Sequence, residues 1–463
     1  MPHRFHLDPR SILTTKKGNT TKNSRSTWMR VGATVGAGAL MLGLAACSSG
    51  GTSGGDSNAG GTQADIDAAL EKGGTLTWWT WGDKDQQMAD AFTKEHPNVK
   101  FDVVLMDNPD AVVTKLQNAV KAGTGAPDLV PAEYQTVPQL TMAGALADMS
   151  GWGLGDYKDD FIASAWEGMQ FGGKQVGIPM DSGPMVMIYN KELFDAVGIE
   201  APNTWDEYAK AAAAIRAYDP EASIGNSGDV GFMTSLWWAA GGQPFKTEGE
   251  NVTIDVTEAK TAKFTDYWNT LLQSGNLSTL STWGDEWNKA MEQGKLGSIM
   301  MGGWMITGMD DTSHGNWRVK QIPSWDGKPA SSMNGGSGLA VTEQSAQKAM
   351  AAGFLQFMAT GEGRTLQNKN GFPGTTAILD DPAWLDIEFE AYGGQKANQE
   401  GKLSSENVVA GWQYLPFQGY ANNIFGDTAG KAIADGTSLQ TGVEAWQADL
   451  VKYGTDQGFT VNK

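Results

Sequence analysis

Polar and apolar positions along this chain follow two periods, and the change from one to the other marks out its elements. Thr75 to Trp81 alternates with a period of two and is rich in Thr and Trp, which predicts a first strand after Gly73-Gly74. Gly82-Asp83-Lys84 leads into a helix that runs to about Glu95 and stops at His96-Pro97. Val99 to Met106 predicts a second strand. Beyond Asp107-Asn108-Pro109-Asp110, the apolar residues Val112, Val113, Leu116, Ala119 and Val120 recur at helical spacing within Ala111 to Ala122. Gly125 to Val130 then predicts a third strand with Glu133-Tyr134 just past its end. The order is β-α-β-α-β, and connections of this length predict parallel pairing in an α/β fold.

The stretch Val176 to Trp205 changes the picture, because two short apolar strands, Val176–Met180 and Met185–Tyr189, meet there across Asp181-Ser182-Gly183-Pro184. The second is apolar at nearly every position, as in a strand of a parallel sheet buried on both faces. The pair reads either as consecutive strands of one sheet or as a hinge passing from one lobe to another. Asn190 is placed to cap a helix from Lys191 to Val197 that ends at Gly198, and Thr204 with Glu207 forms a capping box for the next.

Farther on, Ala209–Tyr218, the run around Leu236-Trp237-Trp238, Thr257–Leu272 and Ser345–Met358 carry helical spacing. Gly297–Met301 and Leu339–Val341 read as strands. On a helix, adjacent residues do not share a face, so one of Trp237 and Trp238 belongs to a core. The segment Gln395–Asn407 is polar and uninformative.

Composition separates the start of the chain from the rest. Residues 1–30 are polar and basic, Val31–Ala46 is small and apolar, and Leu44-Ala45-Ala46-Cys47 follows. The apolar run is too short to span a bilayer, which takes about 20 residues, and reads as the h-region of a signal peptide, 1–46. Residues 47–72 read as a flexible tether, since the Ser, Gly, Thr and Asn tract through Gly61 cannot bury enough apolar surface to order itself. Cys47 is the only cysteine, so no disulfide can form within the chain. Residues 1–46 hold seven Lys or Arg and one acid, leaving 27 basic against 52 acidic residues and a formal charge of −25 after processing, compared with −19 for the whole chain. That balance argues against nucleic acid and against a non-specific grip on anionic lipid. Two histidines, His96 and His314, remain beyond residue 46, too few to suggest histidine-based metal chemistry, and no cofactor is expected. The chain has 18 Trp, and exposed indole faces on that scale suggest a binding role.

Ligands of open α/β sheets bind beyond the carboxyl ends of the strands. Asp83, Asn108, Glu133 and Asp181 each lie just past a predicted strand and are candidates to face one cleft; the alternative for each is a helix cap or solvated turn. Trp283 and Trp287 form an aromatic pair, and Trp304 closes the strand that ends at Gly302-Gly303. For Trp304 the alternative is a core tryptophan.

Several of these runs resemble one family. Ile178-Pro179, then IYNKELFDAVGIEAPNTWDEY after a gap, is similar to the cross-over segment of the family 1 extracellular solute-binding proteins, the carbohydrate-binding subunits of ABC importers. Further similarity lies in the Pro-Asp-apolar strand at Pro127-Asp128, the Trp-x-x-Gly-Gly ending at Trp238, and the order helix, Gly-Lys, strand, Gly, Trp up to Trp304. Asn334-Gly335-Gly336-Ser337-Gly338 and Gly371-Phe372-Pro373-Gly374 also match.

The resemblance implies a two-lobed fold, each lobe a mainly parallel sheet flanked by helices, with lobe 1 at 73–181 and 335–376 and lobe 2 at 182–334 and 377–463. It implies sugar contacts from Asp83 and Lys84, a stacking role for Trp304, Trp238 rather than Trp237 at the site, close backbone approach at Gly335 and Gly336, and contacts near Tyr420 and Asn422. Leu-Ala-Ala-Cys resembles a lipobox, which implies lipid attachment at Cys47 and anchoring on the extracytoplasmic face of the cell membrane. The implied protein is a monomeric, non-enzymatic lipoprotein that binds a carbohydrate, an oligosaccharide, and hands it to importer permease subunits; the ATPase lies on other chains, since no phosphate-binding Gly-Lys-Ser/Thr loop is present. Two other readings fit single features: a surface glycoside hydrolase using two of the acids, and a binder of a peptide or polyamine.

Overall fold

The computed structural model describes residues 60–82, 84–309, 316–367 and 371–463. The predicted signal peptide, Cys47 and Asp83 lie outside the described residues.

The strands are, in chain order, β1 (Gly74–Thr80), β2 (Val99–Leu105), β3 (Leu129–Glu133), β4 (Gln170–Phe171), β5 (Lys174–Gln175), β6 (Gly177–Pro179), β7 (Met185–Asn190), β8 (Phe245–Glu248), β9 (Asn251–Ile254), β10 (Ser298–Gly302), β11 (Trp317–Gln321), β12 (Ser337–Val341) and β13 (Thr460–Asn462). They build two lobes. The first has a five-stranded sheet in the order β2-β1-β3-β12-β6; the second has two three-stranded sheets, β10-β7-β11 and β13-β9-β8.

The predicted parallel pairing holds for β1 with β2 and with β3, whereas β12 runs antiparallel to both its neighbours. The expectation of a mainly parallel second lobe needs correcting, because β7 pairs antiparallel with β10 on one side and β11 on the other. Its unbroken apolar run has a cause that does not depend on strand direction. Val186 and Ile188 face one buried cluster, with Trp287 and Ile299, while Met185 and Met187 face another, with Phe194 and Trp205. Burial on both faces removes the need for alternation, and strand polarity leaves no trace in such a run.

The stretch after Val176 is a crossing between sheets, since β6 belongs to the first lobe and β7 to the second. The return crossing lies beside it. Asn334 N donates to Gly183 O at 2.7 Å, Met185 N to Ser332 O at 2.9 Å, and Met180 N to Ser337 O at 2.8 Å. A third segment joins them where Ser182 N donates to Phe372 O at 2.9 Å. Three neighbouring crossings leave rotation about them as the easy relative motion of the lobes.

The local signals near the first crossing are met in detail. Asn190 Oδ1 accepts from Glu192 N and Leu193 N, the helix Lys191–Val197 ends at left-handed Gly198, and Thr204 and Glu207 form the capping box of Trp205–Tyr218. The tether does not extend to residue 72. Gln63–Lys72 is a helix with its own capping box, Thr62 with Asp65, and Ile66 and Leu70 are buried. They pack over Gly353 of the helix Lys348–Ala359, where a Cβ would come within 2.9 Å of Leu70 and 3.1 Å of Ile66. The two apolar residues are four apart, a single helical stripe too short to stand out beside the polar tract before it.

Candidate functional site

The first lobe brings two of its polar candidates, Glu133 and Asp181, together at one end of the sheet. Glu133 is the last residue of β3 rather than a residue beyond it, paired with Ser337 of β12. Asp181, in the crossing, accepts through Oδ1 from Ser337 N at 2.5 Å and Ser337 Oγ at 3.1 Å. Between them Tyr134 donates its hydroxyl to Asp181 O at 2.6 Å. Burial raises the pKa of Glu133; it raises that of Asp181 to about 7, against the bonds from Ser337 and with help from the negative charges of Glu133 and Asp85. Asp85 is itself buried and accepts from Thr80 Oγ1.

The sign of this effect gives a testable pH dependence. Asp181 titrates near 7 folded and near 3.8 ordinarily, so between these values the folded protein holds more protons than the unfolded chain. The contribution of Asp181 to stability is therefore fully present below about pH 4, is lost as pH rises through about 7, and stays absent above, with a ceiling of about 4 kcal/mol for the full window. Asp181→Asn keeps an acceptor for Ser337 and cannot ionise. Its melting temperature is expected to fall less than wild type's between pH 5 and 8; parallel curves would refute the assignment.

From Glu133 a hydrogen-bonded line leaves the first lobe. Gln135 Nε2 donates to Glu133 Oε2 at 3.0 Å, Asn422 Nδ2 to Gln135 Oε1 at 3.1 Å, and Gln418 Nε2 to Asn422 Oδ1 at 2.9 Å. Asn422 thus stands opposite Glu133 across the lobes. Gln135 was missed in the sequence, although it lies two residues past Glu133 on the same side of the strand end.

The second lobe supplies the aromatic wall. Trp304, partly buried, donates its indole N–H to Asn334 O at 2.8 Å, and Asn334 Oδ1 accepts from Gly302 N at 3.1 Å. Asn334 Nδ2 also reaches Ser235 Oγ at 3.3 Å, so this one crossing residue ties together a strand end, a helix and the tryptophan. Trp283 stacks on Trp304 with ring centroids 6.1 Å apart and planes 26° apart, and lies against Trp287 at 5.5 Å. Its φ of 72° makes it the only non-glycine residue described with a left-handed backbone, and it is 49 % exposed. An exposed indole held in a strained conformation is the kind of feature that clusters at binding sites.

Other candidates are placed differently. Trp238 does not offer a face to a cleft: it is 1 % exposed, stacked on Trp412 at 4.9 Å and edge-on to Tyr414 at 5.0 Å. Trp237 is also buried, with its N–H on Thr265 Oγ1 at 3.0 Å, because the helix Val230–Ala239 is covered on every side. Asn108 caps the helix Pro109–Ala122, accepting from Ala111 N at 2.9 Å. Tyr420 stacks on Tyr453 at 3.7 Å. Lys84 sits at the start of the helix Asp85–Glu95. Gly335 and Gly336 have φ of 77° and 102°, and what approaches them is protein: a Cβ on Gly336 would stand 2.5 Å from the Tyr134 ring, and one on Gly335 would stand 3.3 Å from Trp304 Nε1.

A sequence profile of the bacterial extracellular solute-binding proteins matches residues 87–391. The ABC transporter associated binding protein of B. animalis subsp. lactis Bl-04, solved in complex with β-1,6-galactobiose, is 34 % identical; the match covers 84 % of this chain and 99 % of that one, with a TM-score of 0.73. The arabinooligosaccharide-binding protein of Halalkalibacterium halodurans is 26 % identical over 391 residues, 78 % of this chain and 85 % of the relative. The galacto-N-biose-/lacto-N-biose I-binding protein of Bifidobacterium longum shares the fold, with a TM-score of 0.72 at 24 % identity over 84 % of this chain and 99 % of that one.

Proposed function

Because the chain belongs to the bacterial extracellular solute-binding family, we propose that it captures an oligosaccharide between its lobes and presents it to the permease of an ABC importer, without altering it. The observation that carries this reading is a half-exposed aromatic pair in the second lobe together with a polar line that bridges the two lobes. The half-exposed Trp283, backed by Trp304, faces the apolar side of a sugar ring, and the line Glu133–Gln135–Asn422–Gln418 meets hydroxyls. A sugar presents both kinds of surface, and a site with few well-placed polar groups beside aromatic planes suits it. Contacts made to both lobes at once favour the closed form by the difference in ligand affinity between the two states.

Asp83 and Lys84 belong to this reading as rim contacts, and Asp181 as the carboxyl that orders the crossing beneath the ligand. With the helix Gln63–Lys72 packed on the first lobe, we assign the lobes to 63–181 with 335–376 and 182–334 with 377–463, and the chain as a monomer. Cys47 is proposed as the lipid-bearing first residue of the mature protein at the cell membrane, which the mass of the mature amino terminus would check.

Relatives that bind β-1,6-galactobiose and arabinooligosaccharides set the first probes. Calorimetry of the purified mature protein against β-1,6-galacto- and arabino-oligosaccharides is expected to show saturable binding, and mass spectrometry after a day to show the sugar intact. Conversion to shorter sugars, or binding of peptides or polyamines in place of sugars, would overturn the proposal.

A further inference from the structure

Between the lobes lies a cavity of about 720 Å³ that none of Trp283, Trp304 and Asp181 lines. The first lobe contributes the turn after β3 and the β4–β5 hairpin to its walls; the second contributes the β8–β9 hairpin and residues 411–414. Tyr134 forms the partition towards the crossings. It is fully buried, with its ring packed against Gly168 on one side and Gly336 on the other and its hydroxyl on Asp181 O. The adjoining Gln135–Asn422 bond continues that partition between the lobes.

Three observations point to a ligand. Trp412 lines the cavity and is partly exposed, while it stacks on Trp238 at 4.9 Å and meets Tyr414 edge-on at 5.4 Å, so a fixed indole has surface left for the cavity. Thr247, also in the wall, has a buried hydroxyl with no hydrogen-bond partner among the described residues, its backbone N–H being held by Gln413 Oε1 at 2.7 Å. A buried hydroxyl left in that state costs free energy; a rotation about χ1 that turns it to the cavity would let a ligand hydroxyl recover that cost. The charged lining residues, Glu167, Glu250 and Lys174, are of both signs, which suits neutral hydroxyls better than an ion. The volume falls in the range of about 300–1,000 Å³ usual for small-molecule sites.

We propose that this cavity is a second saccharide site, for a neutral mono- or disaccharide, separate from the Trp283–Trp304 cleft. It rests on the reading of the protein as a sugar binder. The test is the stoichiometry of β-1,6-galactobiose and of arabinobiose on the mature chain, by calorimetry and native mass spectrometry. Two equivalents are expected with at least one of these sugars. Trp412→Ala should abolish one of them and Thr247→Val should weaken the same one by about tenfold, or about 1.4 kcal/mol, with the other unaffected by both and weakened in Trp283→Gly. A single equivalent that neither cavity substitution affects overturns the second site and leaves the proposed function standing. A single equivalent sensitive to both Trp283→Gly and Thr247→Val makes the two regions one continuous site and likewise overturns the separation. Failure of both sugars to bind overturns both proposals. Should Trp412→Ala fail to fold, Thr247→Val decides.

Discussion

Trp283→Gly is expected to weaken sugar binding ten- to a hundredfold and to leave the ligand-free protein within about 1 kcal/mol of wild-type stability. An aromatic face and the area it buries contribute on the order of 1.5–3 kcal/mol to a complex, at about 1.4 kcal/mol per tenfold in Kd. The stability side is a near balance. The indole loses its contacts with Trp304 and Trp287, but it is half exposed, and glycine accepts a φ of 72° without the ~1–2 kcal/mol that a side chain suffers there. Trp304→Ala should behave otherwise. Its indole is partly buried and bonded to Asn334 O in the crossing, so its loss should lower stability by roughly 3–5 kcal/mol as well as affinity. Calorimetry for affinity and thermal unfolding of each ligand-free variant separate the roles. Wild-type affinity in Trp283→Gly would remove Trp283 as the platform and return Trp304 as the remaining candidate.

Gly336→Ala is expected to destabilise the protein by about 2–5 kcal/mol and to weaken ligand binding with it. The residue has φ 102°, where a side chain is strained, and the added Cβ would stand 2.5 Å from the ring of Tyr134. Tyr134 cannot yield freely. Its ring also fills the space beside Gly168, and its hydroxyl, which burial keeps protonated, is the donor to Asp181 O. Moving the ring would disturb the crossing and the Glu133–Gln135 end of the polar line together. Urea unfolding should show a lower midpoint for Gly336→Ala. In the background Tyr134→Ala the same change should cost distinctly less, because the two residues touch and their effects are not additive. An unchanged midpoint, or equal costs in both backgrounds, would mean that this contact does not constrain the hinge.

Some features of the chain are local, and these the sequence alone determined. Asn190, Gly198, Thr204 and Glu207 act on backbone groups within four residues of themselves, so their cap roles follow from spacing. The same holds for the first three strands and their intervening helices, whose order forces parallel pairing. The long, specific run from Ile188 to Tyr208 was enough to indicate the family before any contact was known.

What the tertiary structure decided were matters of partnership between distant segments. Whether β6 and β7 share a sheet depends on their hydrogen-bond partners, β12 for one and β10 with β11 for the other, and nothing in either strand names them. The polarity of the second lobe's sheet was hidden for the same reason, since a strand buried on both faces reads alike in either direction. Trp238 and Trp283 carry the same side chain, and burial separates them: one is enclosed by Trp412 and Tyr414, the other stands half exposed on Trp304. Gly335 and Gly336 had to be glycine, but the group that requires it is the Tyr134 ring and the Trp304 indole, some 200 and 30 residues away in the chain. Spacing can fix what a residue does to its neighbours along the backbone; which face it shows to a cleft is set by whatever the rest of the fold lays against it.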